Sequence, residues 1–282
     1  MYGPQILVRF LSTPGPEDQW GNRWQYHSRS DRHSKVACWG VVLDLMLSSR
    51  QLRQHVAAGK VVLGINHQLT DFATNRKKNL DLVLARPGLD QSPSSGSFDQ
   101  LVSKYGIVLD AEEKALLEQL PGLPLASLGA VVVALEAKAC MTAHVKSLPR
   151  LYDELNSSHL CVHGASRRAL AIGFVQVNNA EEFLSPVKNN FKLAGATLKW
   201  SRHRQPADTL RVLAKVSEIP RRSASSEVGF DGLGVVVLDA RNDGSPVTLV
   251  TDPPAPRPGD TFDYVSMITR MANEYDTTFT KI

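Results

Sequence analysis

Val131-Val132-Val133-Ala134-Leu135 is followed directly by Glu136-Ala137-Lys138, and this stretch limits what the chain can fold into more than any other. Five apolar residues after Gly129-Ala130, three of them β-branched, predict a strand covered on both faces. Side chains alternate along a strand, so Glu136 and Lys138 project to the same side. A buried strand that ends in a carboxylate and an ammonium carries a desolvation cost that must be met by pairing or by function. The chain therefore has a central sheet, and either an ion pair or half of a catalytic site stands at the end of one of its inner strands.

Other segments supply the layers around that strand. Ser34 to about His55 predicts the first long helix, with Ser34 as its cap and Val36, Ala37, Trp39, Val41, Val42, Leu43, Leu45, Met46 and Leu52 as a wide apolar face. Asp44 falls inside that run, either facing solvent or contributing to an acidic site. A basic cluster, Arg29, Arg32, His33 and Lys35, stands at the helix start. Val61–Ile65 and Leu80–Ala85 read as strands, with Asp81 the one charge in the second. Between them Asn75-Arg76-Lys77-Lys78-Asn79 reads as a hairpin turn presenting positive charge. Residues 88–128 look inserted: a Ser/Gly/Pro-rich loop at 91–97 leads to a helix from Asp110 to Leu120, with Asp110 and Glu113 forming a capping box. After the central strand, Thr142 to about Ser157 predicts a helix, with Pro149 as a kink or part of its first turn, and Ala169–Val177 a fourth buried strand. Further on, Ala180–Leu193 reads as helical, 234–239 and 246–250 as a hairpin, and Asp263–Tyr275 as a closing helix. Trp20, Trp24 and Tyr26 read as aromatics that pin residues 1–33 onto the body rather than as bases' stacking partners.

Three parts result: an N-terminal arm (1–33), a core (34–178) carrying the insertion 88–128, and a C-terminal α/β extension (179–282) packed on it. The expected class is α/β, with a mixed central sheet flanked by helices. The 282 residues suffice for one large domain. A net charge of +4 and a pI near 9.0 suit an acidic partner without requiring one. Three cysteines without framework spacing argue for a reducing compartment. No signal-peptide pattern and no spanning apolar run is apparent, so the expectation is a cytoplasmic protein with no membrane association.

The order helix, strand, strand, strand, helix, strand, with Asp81 on the second strand and Glu136-Ala137-Lys138 closing the third, resembles the PD-(D/E)XK superfamily, the restriction-endonuclease-like nucleases, over roughly residues 34–178. The resemblance implies that Asp81 and Glu136 are acids that bind Mg²⁺, with Mn²⁺ able to substitute, and that Lys138 assists the attacking water. The chain would then be a metal-dependent DNA endonuclease acting on double-stranded DNA, in restriction or anti-phage defence. It would work as a homodimer or higher assembly, with a possible defence-system partner or activating ligand. The chemistry suits these residue types: hard carboxylate oxygens hold Mg²⁺, and a lysine stabilises an anionic transition state or, with its pKa lowered, takes a proton. The sequence departs from the family pattern in having Leu80 where a proline often precedes the first acid, and in the long connection between Asp81 and Glu136. Asp71 is the fallback for that acid.

A second Glu-x-Lys, Glu112-Glu113-Lys114, is set aside, because residues two apart on a helix do not face each other. Asp239-Ala240-Arg241 has arginine in place of lysine. Cys140, His144, His159, Cys161 and His163 lack the paired spacing of a zinc site, and Cys161 and His163 lack a third orienting group for thiol chemistry. Arg76, Lys77, Lys78, His144, Arg150, Lys199, Arg202 and Arg204 are candidate contacts to nucleic acid, each also readable as a solvated surface charge. Competing readings are a non-catalytic nucleic-acid-binding or assembly protein that keeps the fold, and an unrelated α/β protein in which Glu136 and Lys138 form an ion pair.

Overall fold

A computed structural model of the chain describes residues 1–90 and 96–282. In chain order the elements are α1 (Gly3–Ser12), α2 (Arg32–Ser48), α3 (Arg50–Ala57), β1 (Val62–Asp71), β2 (Arg76–Pro87), β3 (Gly96–Ser97), α4 (Gln100–Tyr105), α5 (Ala111–Gln119), β4 (Pro124–Leu125), β5 (Leu128–Cys140), α6 (His144–Ala165), β6 (Leu170–Asn178), β7 (Glu182–Leu184), β8 (Trp200–Arg202), α7 (Ala207–Ser217), β9 (Gly232–Asp239), β10 (Thr248–Val250) and α8 (Tyr264–Thr278). One eight-stranded mixed sheet runs β10-β9-β6-β5-β2-β1-β4-β3, and β7 and β8 form a separate ribbon. The central trio β5, β6 and β9 is parallel, while β2 is antiparallel to both of its neighbours.

Helices cover both faces, which is why β6 is buried along its whole length and reads as an unbroken apolar run apart from Gln176 and Asn178. One face packs against α1, α2, α3 and α8, the other against α6 and α7. Helix α2 lies between the sheet, α1 and α8, so it is apolar nearly all round. The contact between α1 and α2 is close enough that a Cβ on Gly40 would stand 2.7 Å from the Cα of Gly3. Residues 179–282 add β9 and β10 to this sheet and α7 and α8 to its two faces. Among the described residues no helix is long and apolar enough to cross a membrane.

Several sequence expectations need correction. The helix expected over Ser34–His55 is two helices. Ser49 is extended between them, its Oγ accepting the Leu52 N–H at 2.9 Å, and Arg53 Nη1 donates to the orphaned carbonyls of Met46 and Leu47. Ser34 does not cap the start: its hydroxyl donates back to the Asp31 carbonyl. The segment Ala180–Leu193 is not helical. Asparagine side chains capture its backbone instead, Asn178 bonding Ala180 and Asn189 bonding Ser185, while Pro186 interrupts the run. The basic residues Arg76–Asn79 belong to β2 itself, and the turn precedes them. The capping box of Asp110 and Glu113, the β9–β10 hairpin and the closing helix are as expected. The 91–97 loop expectation falls mostly on residues 91–95, outside the described residues. Trp24 and Tyr26 are buried against the body while Trp20 is half-exposed.

Asp44 neither faces solvent nor joins an acidic site. It is fully buried and accepts from the Tyr2 and Gly3 N–H groups and the Tyr264 hydroxyl, at 2.8 Å in each case. It ties the start of α1 to α2 and α8. Burial pushes its carboxyl upward from the ordinary value, and the three donors hold it down only in part. Asp44→Ala leaves those three donors unsatisfied in the core and should cost about 3 kcal/mol in urea denaturation.

Candidate functional site

The site exists because the sheet forks. Strands β2 and β5 pair from Pro87↔Leu128 up to Leu82↔Leu135 and no further. Beyond that point β2 continues against β1 alone, and β5 against β6 alone. Asp81 stands at the fork. Its Oδ2 accepts the Ala137 N–H at 2.9 Å, so a side chain takes the donor that the next rung of the ladder would have used. On the other flank, the β1–β2 register passes over Asp81 and Asn66, between Ile65↔Leu82 and His67↔Leu80. Asn66 adopts φ 52°, a left-handed conformation that asparagine tolerates better than most residues.

Lys35 of α2 reaches Asp81 from one side of the sheet. Its Nζ lies 2.6 Å from Asp81 Oδ1 and 3.8 Å from Asp31 Oδ2, and its side chain is only 3% exposed. Glu136 is equally buried. Its Oε1 accepts from Lys138 Nζ at 2.7 Å and lies 3.3 Å from Lys78 Nζ, whereas Oε2 is buried without a partner. From the other side of the sheet, Glu154 of α6 meets Lys138 at 2.8 Å and Arg150 at 2.6 Å. A row of charges thus passes through the fork, from Asp31 by Lys35, Asp81, Glu136, Lys138 and Glu154 to Arg150.

The electrostatics follow from burial and neighbours. Burial, and then repulsion from Asp81, raises the Glu136 carboxyl above its ordinary value, against the pull of Lys138 and Lys78. Burial alone would lower Lys138, but Glu136 and Glu154 overcome it and hold the ammonium well above the usual lysine range. Glu154 goes the other way. Burial opposes its ionisation, yet Lys138 and Arg150 bring it down to about 2.

A cleft of about 390 Å³ runs beside the free end of β5, lined by Asp81, Lys138, Glu154, Arg150, Arg29 and His33 among others. His33 lies against Tyr26, ring centroids 4.7 Å apart, and burial lowers its imidazole to about 4, which keeps it neutral near pH 7.

Of the residues singled out in the sequence, Asp81, Glu136, Lys138, Lys78 and Arg150 come together here. Arg76 and Lys77 are exposed farther out on β2. His144 does not face the cleft: it is 2% exposed, with its Nε2 2.7 Å from the Asn178 carbonyl, because the first turn of α6 packs onto the end of β6. Lys199, Arg202 and Arg204 are exposed on and beside β8, and none lines the cleft; Arg202 lies 3.4 Å from Glu182. Asp71, the fallback acid, ends β1 and bonds Thr74 and the Ala73 N–H within its own turn. Sequence reasoning placed Lys35 only in a basic cluster, not in the site, and missed Glu154. A signal existed for each: a lysine opening an apolar helical run, and a glutamate one turn after Arg150. Among the described residues no group of three or more histidines, cysteines and acids could hold a metal.

No family model, no curated protein and no solved structure matches the chain.

Lys35→Met strands Asp81 in a nearly buried position and should cost about 3 kcal/mol in urea denaturation, part of which Asp81→Asn in the same chain restores. An unchanged midpoint in Lys35→Met would mean that the pair contributes nothing to folding. Glu154 has a depressed pKa, so its stabilisation is present above its ordinary 4.5 and is lost as pH falls from there toward about 2. The Tm gap between the wild type and Glu154→Gln should therefore be widest near neutral pH and close below pH 4.5.

Proposed function

We propose that the chain is a metal-dependent DNA endonuclease of the restriction-endonuclease-like type, hydrolysing phosphodiester bonds of double-stranded DNA in restriction or anti-phage defence. One observation carries the reading: Asp81, more than fifty residues away in sequence, comes to the point where β2 and β5 part beside Glu136 and Lys138, with Asp81 and Lys138 lining a polar cleft and Glu136 buried behind them. The element order α2, β1, β2, β5, α6, β6 also supports it, since it is the helix, strand, strand, strand, helix, strand order of that family, and residues 88–128 leave the β2–β5 pairing intact.

The donor set fits a hard divalent cation. Two carboxylates repel each other across the fork, and one Glu136 oxygen is buried with no partner. Asp81 and Glu136 would hold Mg²⁺ or Mn²⁺, which needs only one or two protein carboxylates beside water and phosphate oxygens. Bound there, the ion would supply Lewis acidity and neutralise charge on the scissile phosphate. Lys138 is locked as a cation between Glu136 and Glu154, so its part is to orient water and stabilise negative charge rather than to remove a proton. Arg150 and Arg29 stand where a backbone phosphate would enter the cleft. A homodimer or higher assembly would let two such clefts address both strands.

A second reading has one observation in its favour. Asp81 and Glu136 already hold lysine ammonium groups, from Lys35, Lys78 and Lys138. A protein that binds nucleic acid or assembles on it, without cutting, would show the same pairs.

Supercoiled plasmid with Mg²⁺, against a chelator control, separates the two. Nuclease activity should disappear with the chelator and fall by about 100-fold or more in Asp81→Asn, Glu136→Gln and Lys138→Met. DNA retention without Mg²⁺-dependent cleavage by the wild type would favour the second reading. Full cleavage by the Glu136 or Lys138 variant would overturn the site.

A further inference from the structure

A second cluster of charge lies at the opposite end of the same strands. A pocket of about 190 Å³ is lined by Arg167, Arg168, Arg222, Arg270, Ser223 and Ser225, with Asp231 and Glu274 the acids on its wall. It sits at the start of β6, whereas the cleft lies at the far end of β5, which runs parallel to β6. The nine residues of β6 put about 26 Å between the two ends, at roughly 3.3 Å per residue.

Arg222 is the built part of this pocket. It is 4% exposed, and its guanidinium is always charged. Nε donates to Asp231 Oδ1 at 2.8 Å, and Nη2 donates to the Arg167 and Ala169 carbonyls at 3.1 Å. Nη1 is buried with no acceptor. An unsatisfied donor on a buried cation is costly and marks a place where an acceptor is expected. Arg222 is paired with Asp231, but the three exposed arginines have no such partner. Arg168 Nη2 donates to the Thr278 carbonyl and Arg270 Nη2 to the Arg222 carbonyl. Among the described residues no carboxylate comes within ion-pair distance of Arg167, Arg168 or Arg270. Four arginines and two acids thus line one small, partly enclosed volume, leaving it net positive charge. Planar forks and hydroxyls in that arrangement match the tetrahedral oxygens of phosphate.

We propose that this pocket binds a phosphate-type dianion, free or carried on a small molecule, at a site independent of the cleft and of the chemistry assigned to it. The probes are sodium phosphate, a nucleoside monophosphate and a duplex oligonucleotide, each compared with sodium chloride at matched ionic strength. Phosphate should raise Tm by a few degrees in a concentration-dependent way, as any ligand of the folded state does. Because Arg222 is buried and its loss could unfold the chain, the test uses Arg168→Gln combined with Arg270→Gln, both exposed. The double variant should keep the wild-type Tm in chloride and lose the phosphate shift. Its plasmid cleavage should be unaltered. Equal shifts with phosphate and nucleoside monophosphate would identify the free group as ligand, and a shift with the nucleotide alone would identify a larger phosphorylated molecule. The proposal is overturned if chloride gives the same rise, if the double variant keeps the phosphate shift, or if only the duplex responds.

Discussion

The hydrogen bond from the Ala137 N–H to the Asp81 carboxylate decides the shape of the molecule where it matters. A backbone donor inside a sheet must find an acceptor, and in β5 the neighbouring strand would ordinarily supply it. Asp81 supplies it from a side chain instead. The ladder therefore stops at Leu82↔Leu135, and a gap opens between two strands without leaving that N–H unsatisfied. Everything polar in the cleft follows: the free end of β5, the exposure of Lys138 at its edge and the access of both helical layers to one point.

Charges packed so closely survive only as a network. Glu136, nearly buried, would be untenable alone, and so would Lys35. Each is matched by an opposite charge within 3 Å, and the row through the fork alternates in sign except where Asp81 meets Glu136. Burial, and then that one like-charge repulsion, raises the Glu136 carboxyl. The same network keeps Lys138 an ammonium: burial would lower it, but Glu136 and Glu154 hold it above its ordinary value. Asp44, by contrast, has a closed set of three donors, and its work is to lock α1, α2 and α8 together.

Much of the architecture was legible from periodicity. Nine consecutive buried residues in β6, the apolar half of β5 and the broad face of α2 each have only a few ways to be covered, and the α/β layering followed from them. Local chemistry was equally legible where the interacting groups are close in sequence, as in the box of Asp110 and Glu113. It failed where side chains redirect the backbone. Ser49 divides one expected helix, and Asn178 and Asn189 dissolve another, because a hydroxyl or amide bonding the main chain competes with helical hydrogen bonds at positions where composition looks helical. Arg222 is likewise drawn inside by its pairing with Asp231, a partner that no local pattern shows.

The sequence by itself determined that a buried strand ends in Glu136 and Lys138, that Asp81 interrupts another, and that helices flank both, because alternation and burial cost depend only on residues near one another in the chain. Only the tertiary structure decided that β2 and β5 are neighbours across residues 88–128, that they part at Asp81, and that Lys35 and Glu154 arrive from opposite layers to complete the charge row. A helix's apolar stripe fixes which face turns inward but not which strand lies beneath it. The polar residue at the edge of that stripe meets its partner through packing alone.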